Sequence, residues 1–113
     1  MQEVILKLKL LGQMPDAIED NPTEETIDMY DKLLSNVKIP LTKEETKVLI
    51  GIFPKSGMYG VEWLLLNLVE SYLLETLSNV EYRELIAACP SEEWRETMQI
   101  RLDNWVKEMT KDV

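Results

Sequence analysis

The chain has 113 residues, and its 12 lysines and arginines against 21 aspartates and glutamates, with no histidine, give a formal net charge of -9. This length predicts a single domain, residues 1–113, around one hydrophobic core, and an apolar share of 45% excludes a disordered chain. The charge argues against direct nucleic-acid binding, because affinity for phosphate depends on clustered cations, and it suits a basic protein partner instead.

The N-terminal apolar segment, residues 3–11, fits two kinds of secondary structure. Its apolar residues alternate as in a strand, whereas Ile5, Leu8 and Leu11 recur at helical spacing. We predict a short helix capped by Gly12, because the chain offers no second strand as a partner. No membrane span is expected, since no run reaches the roughly 18 apolar residues that a span needs.

A polar stretch leads to the second predicted helix, at 22–35. The Asn-Pro pair at 21–22 marks its start, because asparagine caps a helix and proline fits its first position. Apolar residues form one stripe of this helix, while Glu24, Asp28 and Asp31 recur on another face. One side should therefore pack against the core, and the other should present carboxylates.

The next two helices are predicted at 42–53 and 61–77. Thr42 and Glu45 have the spacing of a capping box, in which each side chain accepts a hydrogen bond from the backbone N–H of the other residue. Pro54 ends the third helix, and the fourth has apolar residues around most of its circumference. That profile predicts a central, largely buried helix.

Two further helices complete the pattern. The fifth should contain Tyr82 and Leu85 and end before Pro90, and Ser91 is a good N-cap for the sixth. The sixth has an apolar stripe formed by Trp94, Met98, Leu102, Trp105 and Met109. The predicted fold class is therefore all-α, a single compact domain of five to six helices arranged as a bundle or as stacked α-hairpins.

Catalytic chemistry finds little support in the residue types present. Without histidine, the Ser–His and Cys–His mechanisms are excluded. Cys89 is the single cysteine and has no adjacent cation, which fits a protonated thiol in the reducing cytoplasm. The acids match no calcium loop, and the glycines match no phosphate-binding loop. We expect a protein that is not an enzyme and that uses no metal and no cofactor.

An acidic segment from Asp16 to Asp31 stands out from this background. It has seven acids and no base before Lys32, and acids four residues apart on a helix repel one another. A functional use of this field is one interpretation, and a solvated helix face is the other. The candidate partner-binding residues of this segment are Asp20, Glu24, Asp28 and Asp31.

The large aromatic residues divide into two groups. Trp63, Trp94 and Trp105 lie on or beside apolar stripes, so the core is their expected place. Met58 and Tyr59 instead lie in a glycine-flanked loop and have no periodic reason to be buried. Because an exposed tyrosine suits an interface anchor, Met58 and Tyr59 join the candidate partner-binding residues.

Positions 52–71 resemble small bacterial immunity proteins from polymorphic-toxin systems. Those proteins carry a glycine-containing loop and then a helix with a tryptophan, matched here by Trp63, and a Leu-His-Leu stretch in which this chain has Asn67. The Glu-Trp pair at 93–94, together with Arg95, Arg101 and Asn104, is similar to their closing helix, and the likeness covers 22–108 loosely. The resemblance implies a HEAT-like helical fold and neutralisation of a cognate toxin by tight binding.

Our leading hypothesis is an immunity or antitoxin protein that binds a cognate bacterial toxin domain with a basic surface, such as a nuclease, and blocks it. The acidic residues would steer the encounter, and Tyr59 would anchor the complex. Two alternatives stay open. One is an acidic nucleic-acid mimic that inhibits a DNA-binding enzyme, and the other is a non-catalytic helical scaffold whose charge serves solubility.

Overall fold

The structure, a computed structural model, describes residues 1–110 and contains six α-helices in that range. In chain order they are α1 (Glu3–Leu11), α2 (Glu24–Ser35), α3 (Lys43–Ile50), α4 (Val61–Thr76), α5 (Asn79–Ala87) and α6 (Glu92–Thr110). Residues 1–110 contain no strand, so the all-α prediction is confirmed and the first apolar segment is a helix.

The capping box predicted for α3 is present. The N–H of Glu45 donates to the Thr42 hydroxyl at 3.1 Å, and the N–H of Thr42 donates to the Glu45 carboxylate at 3.0 Å. The same carboxylate accepts the N–H of Gln2 at 2.8 Å and so joins the start of α1 to α3. Helix α3 ends at Ile50, earlier than predicted, because the N–H of Ile52 donates only three residues back, to the carbonyl of Leu49 at 3.2 Å. The carbonyl of Ile52 then accepts the N–H of Met14 from the segment between α1 and α2.

The start of α2 differs from the predicted one. Asn21 has a left-handed φ of 43°, which does not suit an N-cap, and the helix begins at Glu24 rather than at Pro22. Thr23 is the cap, since its hydroxyl accepts the N–H of Thr26 at 3.2 Å. A threonine side chain therefore replaces the predicted Asn-Pro start signal.

One hydrophobic core extends through the described residues and draws on all six helices. One buried member from each helix, in order, is Ile5, Tyr30, Leu49, Leu65, Tyr82 and Met98. Burying an aliphatic side chain such as that of Leu49 contributes about 1.5–3 kcal/mol relative to exposure. The predicted stripe of α6 is buried from Trp94 to Leu102, whereas Met109 is exposed, so the stripe extends beyond the core that it covers.

The helices pack as three stacked pairs. Helix α1 packs on α2, α3 on α4 and α5 on α6, and the pairs join through contacts of α1 with α3, of α3 with α5 and of α2 with α4. This order is that of stacked α-hairpins rather than of a closed bundle. The molecule measures 49 × 29 × 19 Å, and α2 and α4, which hold or adjoin most of the candidate residues, lie side by side.

Candidate functional site

Helix α2 carries four exposed carboxylates, those of Glu24, Glu25, Asp28 and Asp31. Within residues 1–110, none of these side chains takes part in a hydrogen bond or an ion pair. Their charges are therefore not neutralised by contact and can act on an approaching cation.

Two of these carboxylates lie at a shallow cleft between α2 and the start of α4, which we call the α2–α4 cleft. Its volume is about 350 Å³, and its lining is Ile27, Asp28, Asp31, Tyr59, Gly60, Val61 and Leu64. The structure thus brings Tyr59 to the same cleft as Asp28 and Asp31, although about thirty positions of sequence separate the tyrosine from the two aspartates. Glu24 lies one turn before Asp28 on the same helix.

Tyr59 is presented by a tight turn that precedes α4. The N–H of Val61 donates to the carbonyl of Met58 at 3.1 Å, and both central residues are left-handed, with φ of 52° at Tyr59 and 91° at Gly60. These values are those of a type I′ turn, which favours Asn-Gly and strains a tyrosine. The side chain is 65% exposed, as predicted, so the turn holds a large ring at the surface at a cost in backbone strain.

The structure corrects the prediction that Met58 is free to bind a partner. Its side chain is 0% exposed and belongs to the core. Its N–H donates to the buried carboxylate of Glu62 at 2.8 Å, which draws the loop inward. A methionine in this position cannot contact a partner. The sequence signal for its burial is Glu62, whose carboxylate lies within reach of the N–H groups of the loop.

The acidic segment divides into two parts with different roles. Asp16 is 5% exposed, and its carboxylate accepts the N–H groups of Ile18, Glu19, Ser56 and Gly57. The hydrogen bond from Glu19 and then the others hold the pKa of Asp16 below its usual range, because they stabilise the charged form against the opposing effect of burial. Asp16 is therefore a structural brace of the loop before α4 rather than part of the surface charge.

Asp20 is exposed but lies apart from the α2–α4 cleft. Its carboxylate accepts the N–H of Asp16 at 2.7 Å, and it lines a larger cleft of about 720 Å³ at the start of α6. Other charged residues of this larger cleft are Glu19, Lys55, Glu92, Glu93 and Glu96. No sequence signal singles out these α6 acids, because acids at the start of a helix are favoured by its dipole alone.

The exposure of Trp63 is a second correction. This residue was expected in the core, yet it is 52% exposed. Its ring meets Trp94 edge to face with a centroid distance of 5.2 Å, and Trp94 stacks on Phe53 at 5.3 Å. The inner two rings fill the core, so the outer one is left with a face toward solvent on α4, next to Leu64 of the α2–α4 cleft.

Residues 1–110 contain no group of three or more acid or cysteine side chains placed to hold a metal ion. Cys89 is buried, and burial raises the pKa of its thiol. None of the helices in this range has the length and apolar character of a membrane span.

Comparisons with protein-family models, with curated proteins and with solved structures found no match to this chain. The resemblance to immunity proteins therefore rests on the residues at 52–71 and on those of the closing helix, at 93–95, 101 and 104.

Proposed function

We propose that this protein is a non-catalytic immunity protein that binds a cognate toxin domain with a basic surface and blocks it. The observation that carries the proposal is the α2–α4 cleft, where the unpaired carboxylates of Asp28 and Asp31 meet the exposed ring of Tyr59. Charged groups around an aromatic anchor are the parts from which specific protein interfaces are built.

The carboxylates supply attraction before contact. The chain has a net charge of -9, and Glu24 extends the charge of the cleft along α2. A field of this sign speeds the encounter with a basic surface and disfavours acidic ones. Salt screens it, so the rate of association should fall as the ionic strength rises.

Tyr59 supplies contact energy after the encounter. A tyrosine has only two side-chain torsions, so a partner that covers its ring gains a large contact area at a small cost in entropy. Anchors of this kind account for much of the slow dissociation of tight complexes. The left-handed φ of 52° at Tyr59 supports the same role, because strained residues cluster at functional positions.

Blocking by occupancy agrees with the side chains of this protein. The chain has no histidine, and its one thiol is buried with a raised pKa. A Ser–His or Cys–His nucleophile with which to destroy a toxin is therefore excluded. Covering the toxin's active site or its groove for nucleic acid needs only a stable complex.

A capture experiment in the native host tests the proposal. The tagged protein serves as bait at low salt, and the bound proteins are washed at high salt and identified by mass spectrometry. We expect one basic toxin-domain protein that survives the wash and whose toxic activity falls when the purified immunity protein is added. Capture of many basic proteins that all wash off would reject the proposal.

Matched variants assign the contact surface. Asp28→Asn combined with Asp31→Asn should weaken capture and inhibition by about tenfold or more. Glu75→Gln combined with Glu84→Gln removes the same charge from exposed positions outside the cleft and should leave both unchanged. Equal losses for the two pairs would mean that the attraction is unspecific.

A further inference from the structure

We infer that the α2–α4 cleft receives a single arginine side chain of the basic partner, and this inference rests on the proposed function. The cleft combines an apolar floor, two carboxylates and one aromatic ring, contributed by Ile27, Val61, Leu64, Asp28, Asp31 and Tyr59. Each of these three surfaces matches a different part of an arginine.

The α2–α4 cleft contains no cation of its own, in contrast to three larger clefts in the described part of the chain. Those three contain Lys55, Arg101, and Lys9 with Lys47, respectively. Lys55 and Arg101 each pair with an acid at 2.7 Å, so much of the charge there is neutralised from within. Asp28 and Asp31 have no such partner, so their charges are free to pair with a cation of another molecule.

The size of the α2–α4 cleft suits one long side chain. Its volume of about 350 Å³ lies at the lower end of the range for ligand pockets, and the cleft is too small to seat a whole helix. An arginine lays its methylene groups on apolar surface while its charged head stays with polar groups. The apolar floor beside the carboxylates of the cleft provides for both parts of that side chain.

Arginine fits this arrangement better than lysine does. Asp28 and Asp31 are neighbours on the surface of α2, and a planar guanidinium can donate to two carboxylates at once. The same plane can stack on the ring of Tyr59, where a cation–π contact adds to the ion pairs. A lysine ammonium is a point charge without a plane that can stack. It can form ion pairs with the two carboxylates, but its contact with the ring of Tyr59 is weaker.

An NMR titration of the ¹⁵N-labelled protein tests the inference without the toxin. The probe is N-acetyl-L-arginine amide, and we expect saturable backbone shifts confined to residues 27–31 and 59–64. N-acetyl-L-lysine amide should bind the same residues about fivefold more weakly, since it cannot stack. N-acetyl-L-citrulline amide has nearly the same shape without the charge and should produce no saturable shifts.

Variants separate the roles of the carboxylates and the ring. Asp28→Asn combined with Asp31→Asn should abolish the arginine shifts, and Tyr59→Leu should remove the preference for arginine over lysine. Tyr59→Phe keeps the aromatic ring and should therefore restore the preference for arginine that Tyr59→Leu loses. Glu75→Gln combined with Glu84→Gln should bind as the wild type does. Equal affinity for arginine and lysine, shifts spread over all acidic surfaces, or no saturable shift up to about 50 mM probe would overturn the inference.

Failure of this inference can be told apart from failure of the proposed function. If a partner is captured and inhibited through Asp28 and Asp31 but arginine amide does not bind the cleft, the arginine site is rejected and the function stands. If arginine amide binds the cleft selectively but no inhibited partner is captured, the site stands and the function is rejected.

Discussion

Three consecutive backbone N–H groups, those of Ser56, Gly57 and Met58, donate to carboxylates in the loop before α4. Asp16 accepts the first two and Glu62 accepts the third. A buried N–H group left without an acceptor costs about 1–3 kcal/mol, so these two acids stabilise a loop that is otherwise rich in glycine. The result is an ordered support for the turn that presents the tyrosine.

Gly57→Ala should lower the free energy of unfolding by about 1–3 kcal/mol, because a buried hydrogen bond is disturbed. The added Cβ would lie 2.6 Å from Oε2 of Glu62 and push that carboxylate away from the N–H of Met58. Urea unfolding followed by tryptophan fluorescence measures the effect. In a protein that already carries Glu62→Ala the clash is absent, so Gly57→Ala should lower the free energy of unfolding by clearly less. Equal decreases with and without Glu62→Ala would contradict this explanation.

Tyr59→Asn should raise the free energy of unfolding by about 0.5–1 kcal/mol, because asparagine followed by glycine suits a type I′ turn. The same change should weaken capture of the partner. Leu77→Asn is the matched control, since Leu77 is a second left-handed residue, with φ of 57°, and lies outside the α2–α4 cleft. Leu77→Asn should raise the thermal stability of the protein without weakening capture. If Tyr59→Asn instead lowers the stability, the contacts of the tyrosine ring contribute more than its backbone strain costs.

At the scale of the helices, the packing of α2 against its neighbours places its charged face at the α2–α4 cleft. Tyr30 buries one side of the helix, and its hydroxyl donates to the carbonyl of Gly12 at 3.0 Å. The side next to α4 brings Asp28 and Asp31 to the Tyr59 turn. Neither helix forms the cleft alone, so any change that loosens α2 should affect binding as well as stability.

Thr23→Ala should lower the free energy of unfolding by about 0.5–2 kcal/mol, the usual cost of losing an N-cap. The hydroxyl of Thr23 accepts the N–H of Thr26, and without it the first turn of α2, with Glu24, should fray. Hydrogen exchange of the amides in this turn measures the effect directly. Thr23→Ser keeps the hydroxyl acceptor, so the amides of this turn should exchange at the wild-type rate. An unchanged exchange rate in Thr23→Ala would mean that the acids of the first turn, rather than the cap, stabilise the start of the helix.

For the molecule as a whole, two depressed pKa values link stability to pH. Asp16 titrates below its ordinary 3.8, mainly because of the N–H of Glu19. Burial pushes the pKa of Glu45 upward, but hydrogen bonds from Gln2 and Thr42 outweigh it and leave the value below its ordinary 4.5. A carboxyl group with a depressed folded pKa contributes its full stability above the unfolded pKa and loses it as the pH falls through the folded pKa.

The free energy of unfolding should therefore decrease as the pH falls below 4.5 and then below 3.8. Protonation of surface acids opposes this decrease, because it relieves the repulsion that accompanies a net charge of -9. Asp16→Asn separates the two effects: it should destabilise the protein at neutral pH and make the decrease below 3.8 shallower. Urea unfolding across the pH series measures this slope, and parallel curves for wild type and Asp16→Asn would contradict the account.

The amino-acid sequence by itself determined the class of the fold and much of its local detail. Helical periodicity and caps act over three or four neighbouring positions, so the helices, the Thr42–Glu45 capping box and the exposure of Tyr59 could all be predicted. The choice between helix and strand for residues 3–11 was also correct, because no partner strand exists within residues 1–110.

Only the tertiary structure decided which candidate residues share a surface. Asp16 is buried because the N–H of Ser56, 40 positions away, reaches its carboxylate, and Trp63 is exposed because Trp94 and Phe53 already fill the core beneath it. Packing of α2 against α4 unites Asp28 and Asp31 with Tyr59. Periodicity along one helix shows which face is polar, but what lies opposite that face depends on contacts between distant parts of the chain.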